Sequence, residues 1–331
     1  MRSRILRFLL PALAGFALAA PFAVAQSIGN TASFSISVSP QYPAPQSAVT
    51  LTPLSSTLDL ANATMSVTVN GKSVYSGNAQ PTSITVGAAG ALTSVRVMIA
   101  SAGSTYSQSL SLRPQDVALV VEPLASAPAL YPGKPLVPLG GSVRVVAVAG
   151  LIASGGKAID PAALSYSWTV DGTQIGSASG IGKDAMNVPS PLEYRSRTVL
   201  VVVQSQDGSE VGGASLTLEP EQPVVRLYEN DPLLGIRFGH ALANVFAIPG
   251  AEVSLYGAPY SFPTTNGAPA LQWFLNGAAA QTGNVITLRP TGSGQGSASL
   301  SFVGSAGTAA EATVNLSLSF GAQPSSGFFG L

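Results

Sequence analysis

The side chains that carry most protein chemistry are scarce in this chain. Its 331 residues include one histidine, no cysteine and 15 acidic residues. Any Ser-His-Asp triad, and any histidine-ligated metal, would have to use His240. That residue sits in Arg237-Phe-Gly-His-Ala-Leu242 with no Gly-x-Ser-x-Gly elbow beside it, and it reads as a surface loop histidine. Zinc held by thiolates is excluded, and a single imidazole leaves only carboxylate-rich sites. A glycosidase needs two facing carboxyl groups in a sugar-binding cleft. The acids here are spread along the chain without an aromatic-rich cleft pattern, so no catalytic pair stands out and no catalytic residue is assigned.

The candidate metal ligands are Glu219, Glu221, Glu229 and Asp231, which gather around one stretch of chain. Calcium takes six to eight oxygen ligands, and junction carboxylates are one way to stiffen a row of domains. Glu229-Asn-Asp-Pro232 resembles in part the Asn-Asp linkers of cadherins, but lacks the second acidic motif those linkers use. Earlier in the chain, the corresponding stretch offers only Asp116 and Glu122. Solvated linker charge is the preferred reading, and no metal or other cofactor is expected.

Gly292-Ser-Gly-Gln-Gly296 could cradle a phosphate, but no Lys-Ser/Thr and no helix pattern follow, so it reads as a hairpin loop. Asn62-Ala-Thr64 and Asn315-Leu-Ser317 match the glycosylation sequon. Tyr256, Tyr260, Phe262, Trp273 and Phe274 are a candidate aromatic platform. Alternation points Trp273 inward and Phe274 outward, and most of the others are expected in a core.

The elements that would position these residues are announced by a repeat. Met65-Ser-Val-Thr-Val-Asn-Gly71, Tyr166-Ser-Trp-Thr-Val-Asp-Gly172 and Leu271-Gln-Trp-Phe-Leu-Asn-Gly277 align without gaps. Each alternates apolar and polar residues, as a half-buried strand does, and ends in an Asn/Asp-Gly pair suited to a tight hairpin turn. The copies lie 101 and 105 residues apart, about one small β-sandwich each. Upstream of each copy is an early strand: Ala48-Val-Thr-Leu51, Ser142-Val-Arg-Val-Val-Ala147 and Glu252-Val-Ser-Leu255. Downstream is a final one: Ser109-Leu-Ser-Leu112, Ser215-Leu-Thr-Leu218 and Asn315-Leu-Ser-Leu318.

Pro114 and Pro220 stop two of the final strands, and fresh apolar strands begin at Val117 and Val224. The expected division is a signal peptide at 1–25, domains at 27–114, 115–222 and 223–320, and a flexible tail at 321–331. Linkers of a few residues containing proline favour a semi-rigid array. Residues 123–141 read as a loop containing five prolines. Helical signal is confined to single turns at Asp59-Leu-Ala-Asn62 and Asp160-Pro-Ala-Ala-Leu164, each with Asp as the cap.

The motif strands resemble the immunoglobulin-like and PKD-like families of extracellular β-sandwiches. Tyr166-Ser-Trp168 with Asp171-Gly172 is similar to the PKD family's Tyr-x-Trp strand and Asp-Gly turn. The resemblance implies that Trp168 and Trp273 pack between two sheets; Val67 stands where the first copy lacks the tryptophan. The layout is also similar to secreted proteins of candidate-phylum bacteria whose terminal Ig-like domain opens with a segment like Tyr228-Glu-Asn-Asp-Pro-Leu-Leu-Gly-Ile-Arg237. Both resemblances imply a surface or envelope role and no reaction.

Arg2, Arg4 and Arg7 precede an apolar run at 8–20 and a small-residue site, Ala23-Val24-Ala25. This is the pattern of a secretory signal cleaved after Ala25. The run of 13 residues contains Pro11 and falls short of the roughly 20 needed to span a bilayer. Its removal leaves 12 basic against 15 acidic residues, a net charge of −3. Only 9% of the chain is charged, so nucleic acid is not an implied partner. No later stretch is apolar for long enough to cross a membrane, and the mean hydropathy of +0.36 fits an apolar all-β protein.

The sequence therefore predicts an all-β protein: three tandem immunoglobulin/PKD-like β-sandwich domains after a signal peptide. The expected role is a secreted, non-enzymatic scaffold, structural or adhesion protein of the cell surface or envelope. Its partner would be a surface protein or glycan, with no nucleic acid and no integral membrane segment in the mature chain. The rival role is a carbohydrate-binding or accessory module of a cell-wall enzyme system, which a row of exposed aromatics on one sheet would favour.

Overall fold

A computed structural model describes residues 33–129, 131–291, 294–307 and 310–321. The expected signal peptide, and the tail from residue 322 onward with Phe328 and Phe329, lie outside the described residues. The chain is built almost wholly of strands, which form three two-sheet units. The first contains β1 (Ser35–Ser39), β2 (Ala48–Leu54), β3 (Thr64–Val69), β4 (Lys72–Asn78), β5 (Thr82–Thr85), β6 (Thr93–Ser101) and β7 (Ser104–Leu112). The second contains β8 (Asp116–Pro123), β9 (Ser142–Gly150), β10 (Ser165–Val170), β11 (Thr173–Gln174), β12 (Gly180–Ile181), β13 (Ala185–Pro189), β14 (Arg197–Gln204) and β15 (Val211–Leu218). The third contains β16 (Val224–Asp231), β17 (Gly235–Ile236), β18 (Asn244–Ala247), β19 (Val253–Tyr260), β20 (Ala270–Leu275), β21 (Ala278–Thr282), β22 (Val285–Leu288), β23 (Gly296–Ala306) and β24 (Ala310–Phe320).

The same topology recurs in each unit. The orders are β1-β2-β5 against β4-β3-β6-β7, then β13-β9-β8 against β11-β10-β14-β15. The third unit pairs β17-β16-β19-β22 with β18-β24-β23-β20-β21, and its β18 runs parallel to β24. The early strands β2, β9 and β19 thus lie in the opposite sheet from the motif strands β3, β10 and β20. This predominantly antiparallel arrangement of two sheets around one apolar layer is the immunoglobulin-like sandwich, repeated in tandem.

The repeat has an exact cross-strand register. Val67 pairs with Val97, Trp168 with Val201 and Trp273 with Phe302. All six side chains are fully buried, and each pair belongs to the apolar cluster of its own unit. A buried indole N–H needs an acceptor. Trp168 Nε1 donates to the Lys183 carbonyl at 2.9 Å, and Trp273 Nε1 donates to the Gly283 carbonyl at 2.8 Å. In the third unit Phe302 lies against Gly257, where a Cβ would overlap the ring. Glycine is required there by close approach rather than by a turn.

Asn70-Gly71, Asp171-Gly172 and Asn276-Gly277 each close an antiparallel hairpin. Their φ angles are +49° and +82°, +49° and +79°, and +50° and +80°, the doubly left-handed pattern of a type I′ turn. The first residue of each pair also reaches sideways. Asn70 Oδ1 accepts from Ser94 N–H at 2.9 Å, Asp171 Oδ1 from Thr198 N–H at 2.8 Å, and Asn276 Oδ1 from Ser299 N–H at 2.9 Å. Each backbone N–H returns a bond to the carbonyl of the same residue. The turn is thereby locked to the neighbouring strand, β6, β14 or β23, at its incoming end.

Two local expectations change. Asp160 does cap a short 3₁₀ turn, Pro161–Ala163, but Asp59 caps no helix. Its Oδ1 accepts from Ala61 N–H in a tight turn, because the apolar strand β3 begins too soon for a helical turn to close. The strands flanking the glycine-rich stretch, β22 and β23, belong to opposite sheets and do not form the hairpin expected there.

Replacing Trp168 or Trp273 with alanine should destabilise the protein by about 3–5 kcal/mol in chemical denaturation. Asp171→Ala should cost about 1–2 kcal/mol, because it removes an acceptor and leaves a side chain in a left-handed conformation without local support. Asp171→Asn should cost less than about 1 kcal/mol, since it keeps the acceptor and loses only the half-exposed ion pair to Arg197.

Candidate functional site

Side chains with chemical potential collect where consecutive sandwiches meet. At the first meeting, Glu210 stands just before β15 with its side chain only 1% exposed. A buried carboxylate is costly unless it is paired and hydrogen-bonded. It is ion-paired to Arg113, and its other oxygen accepts from Gln115 Nε2 at 2.7 Å. The Gln115 amide is used on both sides: it donates to the Ile152 carbonyl at 3.0 Å and accepts from Ile152 N–H at 2.8 Å. Of the three residues between β7 and β8, Arg113 and Gln115 are therefore bonded into the second sandwich, while the Pro114 carbonyl accepts from Gly90 N–H of the first at 2.8 Å. Tyr42, from the first sandwich, lies against Gly213 of β15, where a Cβ would sit 2.7 Å from the ring. Burial raises the Tyr42 pKa above its ordinary value.

At the second meeting the long proline-rich loop changes meaning. Composition marks residues 123–141 as a proline-rich loop; in the structure its described residues strap the second sandwich to the third. Thr264 N–H donates to Leu124 O at 2.9 Å, Ser126 N–H to Phe262 O at 2.8 Å, and Ser261 N–H to Ser126 O at 3.0 Å. Phe262 N–H also donates to Ser126 Oγ at 3.1 Å. Further along the strap, Glu221 N–H donates to Val137 O at 2.8 Å. Ser261 holds φ of +59° while buried in this contact, a strained conformation that the surrounding bonds sustain.

Tyr131 of the strap packs edge-on against Tyr260 and Phe238, with centroids 5.1 and 5.8 Å away. Phe238 in turn packs on Tyr228 and Tyr256, at 5.2 and 6.2 Å. The hydroxyls of Tyr228 and Tyr260 are hydrogen-bonded at 2.9 Å. This cluster covers the outer face of β16 and β19, because Leu227, Leu255 and Gly257 occupy the inner one. Burial, then the Tyr228 hydrogen bond, pushes the Tyr260 pKa far up, and burial alone raises that of Tyr256.

The expected aromatic platform is thus divided. Phe262 and Trp273 are core, as expected, and Phe274 is half-buried. Tyr256 and Tyr260 are not core residues: strand alternation from Leu255 turns them outward, where Phe238 and Tyr131 cover them. Sequence reading missed Tyr131 and Phe238, which belong to irregular segments whose contacts no periodicity encodes.

The acidic candidates are not brought together. Glu229 is paired with Arg237 at 3.2 Å. Asp231 Oδ1 accepts from Leu233 and Leu234 N–H at 2.8 and 2.9 Å. These bonds, Leu234 first, hold its carboxyl below its ordinary pKa. That turn stabilisation is complete above the ordinary carboxylate range and is lost as pH falls through the depressed value. Glu221 is exposed at the strap, and Glu219 faces a separate cleft. Among the described residues no three His, Asp or Glu side chains form a metal-holding group. His240 is exposed, as expected.

That cleft, of about 420 Å³, is lined by Glu193, Tyr194, Arg195, Glu219 and Gln222 with Leu139 beneath. It contains two carboxylates, and neither Glu193 nor Glu219 is buried. A glycosidase acid must be kept protonated by an apolar or like-charged setting. The open cleft supplies no apolar enclosure.

Arg113→Ala should destabilise the protein by on the order of 3 kcal/mol, because it strands a buried carboxylate. Glu210→Gln should cost less, since it removes the charge and keeps an acceptor for Gln115. Urea unfolding of the two variants checks the order. Millimolar calcium should leave the melting temperature unchanged, as expected when no folded-state site binds it.

No known protein family matches the chain, and no curated protein matches it. Among solved structures, it is similar to the three N-terminal domains of the bacteriophage RB49 highly immunogenic outer capsid protein, at 14% identity over 87% of this chain and 99% of that one, with a TM-score of 0.23. It is similar to the central fibronectin-III array of RIM-binding protein, at 9% identity over 88% and 97%, with a TM-score of 0.28. A Bacteroides ovatus mixed-linkage glucan utilization locus protein, SGBP-B, solved with a mixed-linkage heptasaccharide, gives 13% identity over 88% and 71%, with a TM-score of 0.22. Overlap at these scores transfers no property, and the tandem-sandwich fold stands on the strand order itself.

Proposed function

We propose that the chain is a secreted, non-enzymatic spacer or scaffold of the cell surface or envelope, made of domains at about 27–114, 115–222 and 223–320. The observation that carries this reading is the bonding between consecutive sandwiches. Bead-like arrays leave their linkers solvated and their domains free to tumble. Here one linker is tied through Gln115 and Glu210 to the second sandwich, and a strap from the second sandwich is hydrogen-bonded to the third. Such bonds hold the spacing between one end of the chain and the other, which is what a spacer must do.

The chemistry of the side chains supports the non-enzymatic part. The one histidine is exposed, and the cleft carboxylates are open to water. A reactive pair needs converging groups with shifted pKa values.

Small-angle scattering of the mature protein should fit a single rigid arrangement. Gln115→Ala combined with Tyr131→Ala should broaden the distance distribution while each sandwich stays folded. A wild-type profile that needs freely jointed beads overturns the spacer reading. The mature protein should hydrolyse no peptidoglycan, glycan or peptide, and turnover abolished by Glu193→Ala or Glu219→Ala would overturn the non-enzymatic reading.

A further inference from the structure

Residues 190–196 cross between the two sheets of the second sandwich, from β13 to β14. Their base is fixed. Ser190 N–H donates to Gly141 O at 2.9 Å, and Pro191 is buried. At the tip, Arg195 N–H donates to Leu192 O at 3.1 Å, closing a turn with Tyr194 in the third position at φ +59°. That position suits glycine or asparagine. The three motif hairpins place Asn or Asp at their left-handed positions, followed by glycine. Tyr194 is the one aromatic residue among the described residues with a positive φ, and it is 94% exposed. A strained backbone and a solvated ring gain nothing from packing, and strain of this kind collects at functional sites.

Tyr194 lines the 420 Å³ cleft, whose volume is within the range of small-ligand sites. Glu193 is pre-positioned by Gln222 Nε2 at 2.6 Å. Arg195 and Glu219 have no ion-pair partner among the described residues. The cleft therefore offers two carboxylate acceptors, one guanidinium donor and a side-chain amide beside one exposed aromatic face.

We propose that this cleft binds a neutral oligosaccharide. Sugar hydroxyls both donate and accept, which matches a wall of mixed donors and acceptors. The C–H face of a pyranose ring matches the Tyr194 face. An anion would meet two carboxylates against one guanidinium, and a purely apolar ligand would strip water from all three charges. The cleft borders the second junction through Leu139 of the strap and Glu219 and Gln222 of the linker, so the scattering profile is followed beside binding to judge the spacer reading separately.

The test uses the full mature protein in native gels containing soluble β-glucan, xylan, galactomannan or galactan. A titration followed by amide NMR with the matching oligosaccharide maps the site. At least one glycan should retard the protein, with shifts centred on residues 192–196 and 219–222. Tyr194→Ala should weaken binding about tenfold, the loss expected for one aromatic contact. Tyr194→Gly should lose binding equally while raising the melting temperature, because it relieves the left-handed strain. Glu219→Gln should weaken binding, and Tyr131→Ala should not. The proposal is overturned if no glycan binds, if Tyr194→Ala binds as well as wild type, or if the shifts map to Tyr228 and Tyr256 instead. The scattering profile should be the same with and without glycan, so the spacer reading is judged separately.

Discussion

The hydrogen bond that Asn70, Asp171 or Asn276 Oδ1 accepts from a backbone N–H of the central strand beside its motif strand sets the geometry of each sandwich. A type I′ turn alone fixes only the two strands that it joins. Here the side-chain oxygen reaches Ser94, Thr198 or Ser299 on a third strand. That bond fixes the register between the motif strand and its central neighbour. A slip by one residue would turn Trp168 and Val201, or Trp273 and Phe302, away from the core. Asn and Asp alternate at this position because both supply a short acceptor and both tolerate positive φ. The position is thus explained by structure, and its carboxylate in the second copy needs no role in proton transfer.

The joints obey a different rule. Inside each sandwich, burial of apolar surface dominates, and the three clusters are separate. Between sandwiches the contacts are polar and backbone-rich: an enclosed glutamate, a doubly bonded glutamine amide and a strap of main-chain bonds. Such contacts are directional. They specify one orientation between neighbours where a greasy contact of the same size would permit sliding. Tyr131 adds an apolar latch to the strap, and its edge-on packing against two rings restricts it further.

The strands, the turns and both buried tryptophans were legible in the sequence because alternation and Asn/Asp-Gly pairs are local signals. The cross-strand partners of those tryptophans follow once the repeats are aligned. The strap was not legible. Five prolines and no periodicity describe a loop equally well whether it is solvated or bonded to another sandwich. Tyr256 and Tyr260 were misplaced for a related reason: alternation from Leu255 sends them outward, but nothing local shows that Phe238 and Tyr131 arrive to cover them. Tyr194 gave no signal either. Pro-Leu-Glu-Tyr-Arg carries no glycine or asparagine at the left-handed position, so the turn became visible only in the backbone angles.

That mismatch separates two kinds of left-handed residue in the same chain. Ser261 is strained and buried, and main-chain bonds to the strap account for its conformation. Tyr194 is strained and exposed, so no packing compensates the cost. A structural explanation covers the first and fails for the second. Gln46 and Ala102 are also left-handed and exposed, but among the described residues Tyr194 alone leaves an aromatic ring solvated at such a position. It also borders a cleft in which Arg195 and Glu219 have no ion-pair partner among the described residues. A ligand that satisfies those groups while covering the ring would supply the missing compensation, which is the physical reason to look for binding there rather than on the covered aromatic face of the third sandwich.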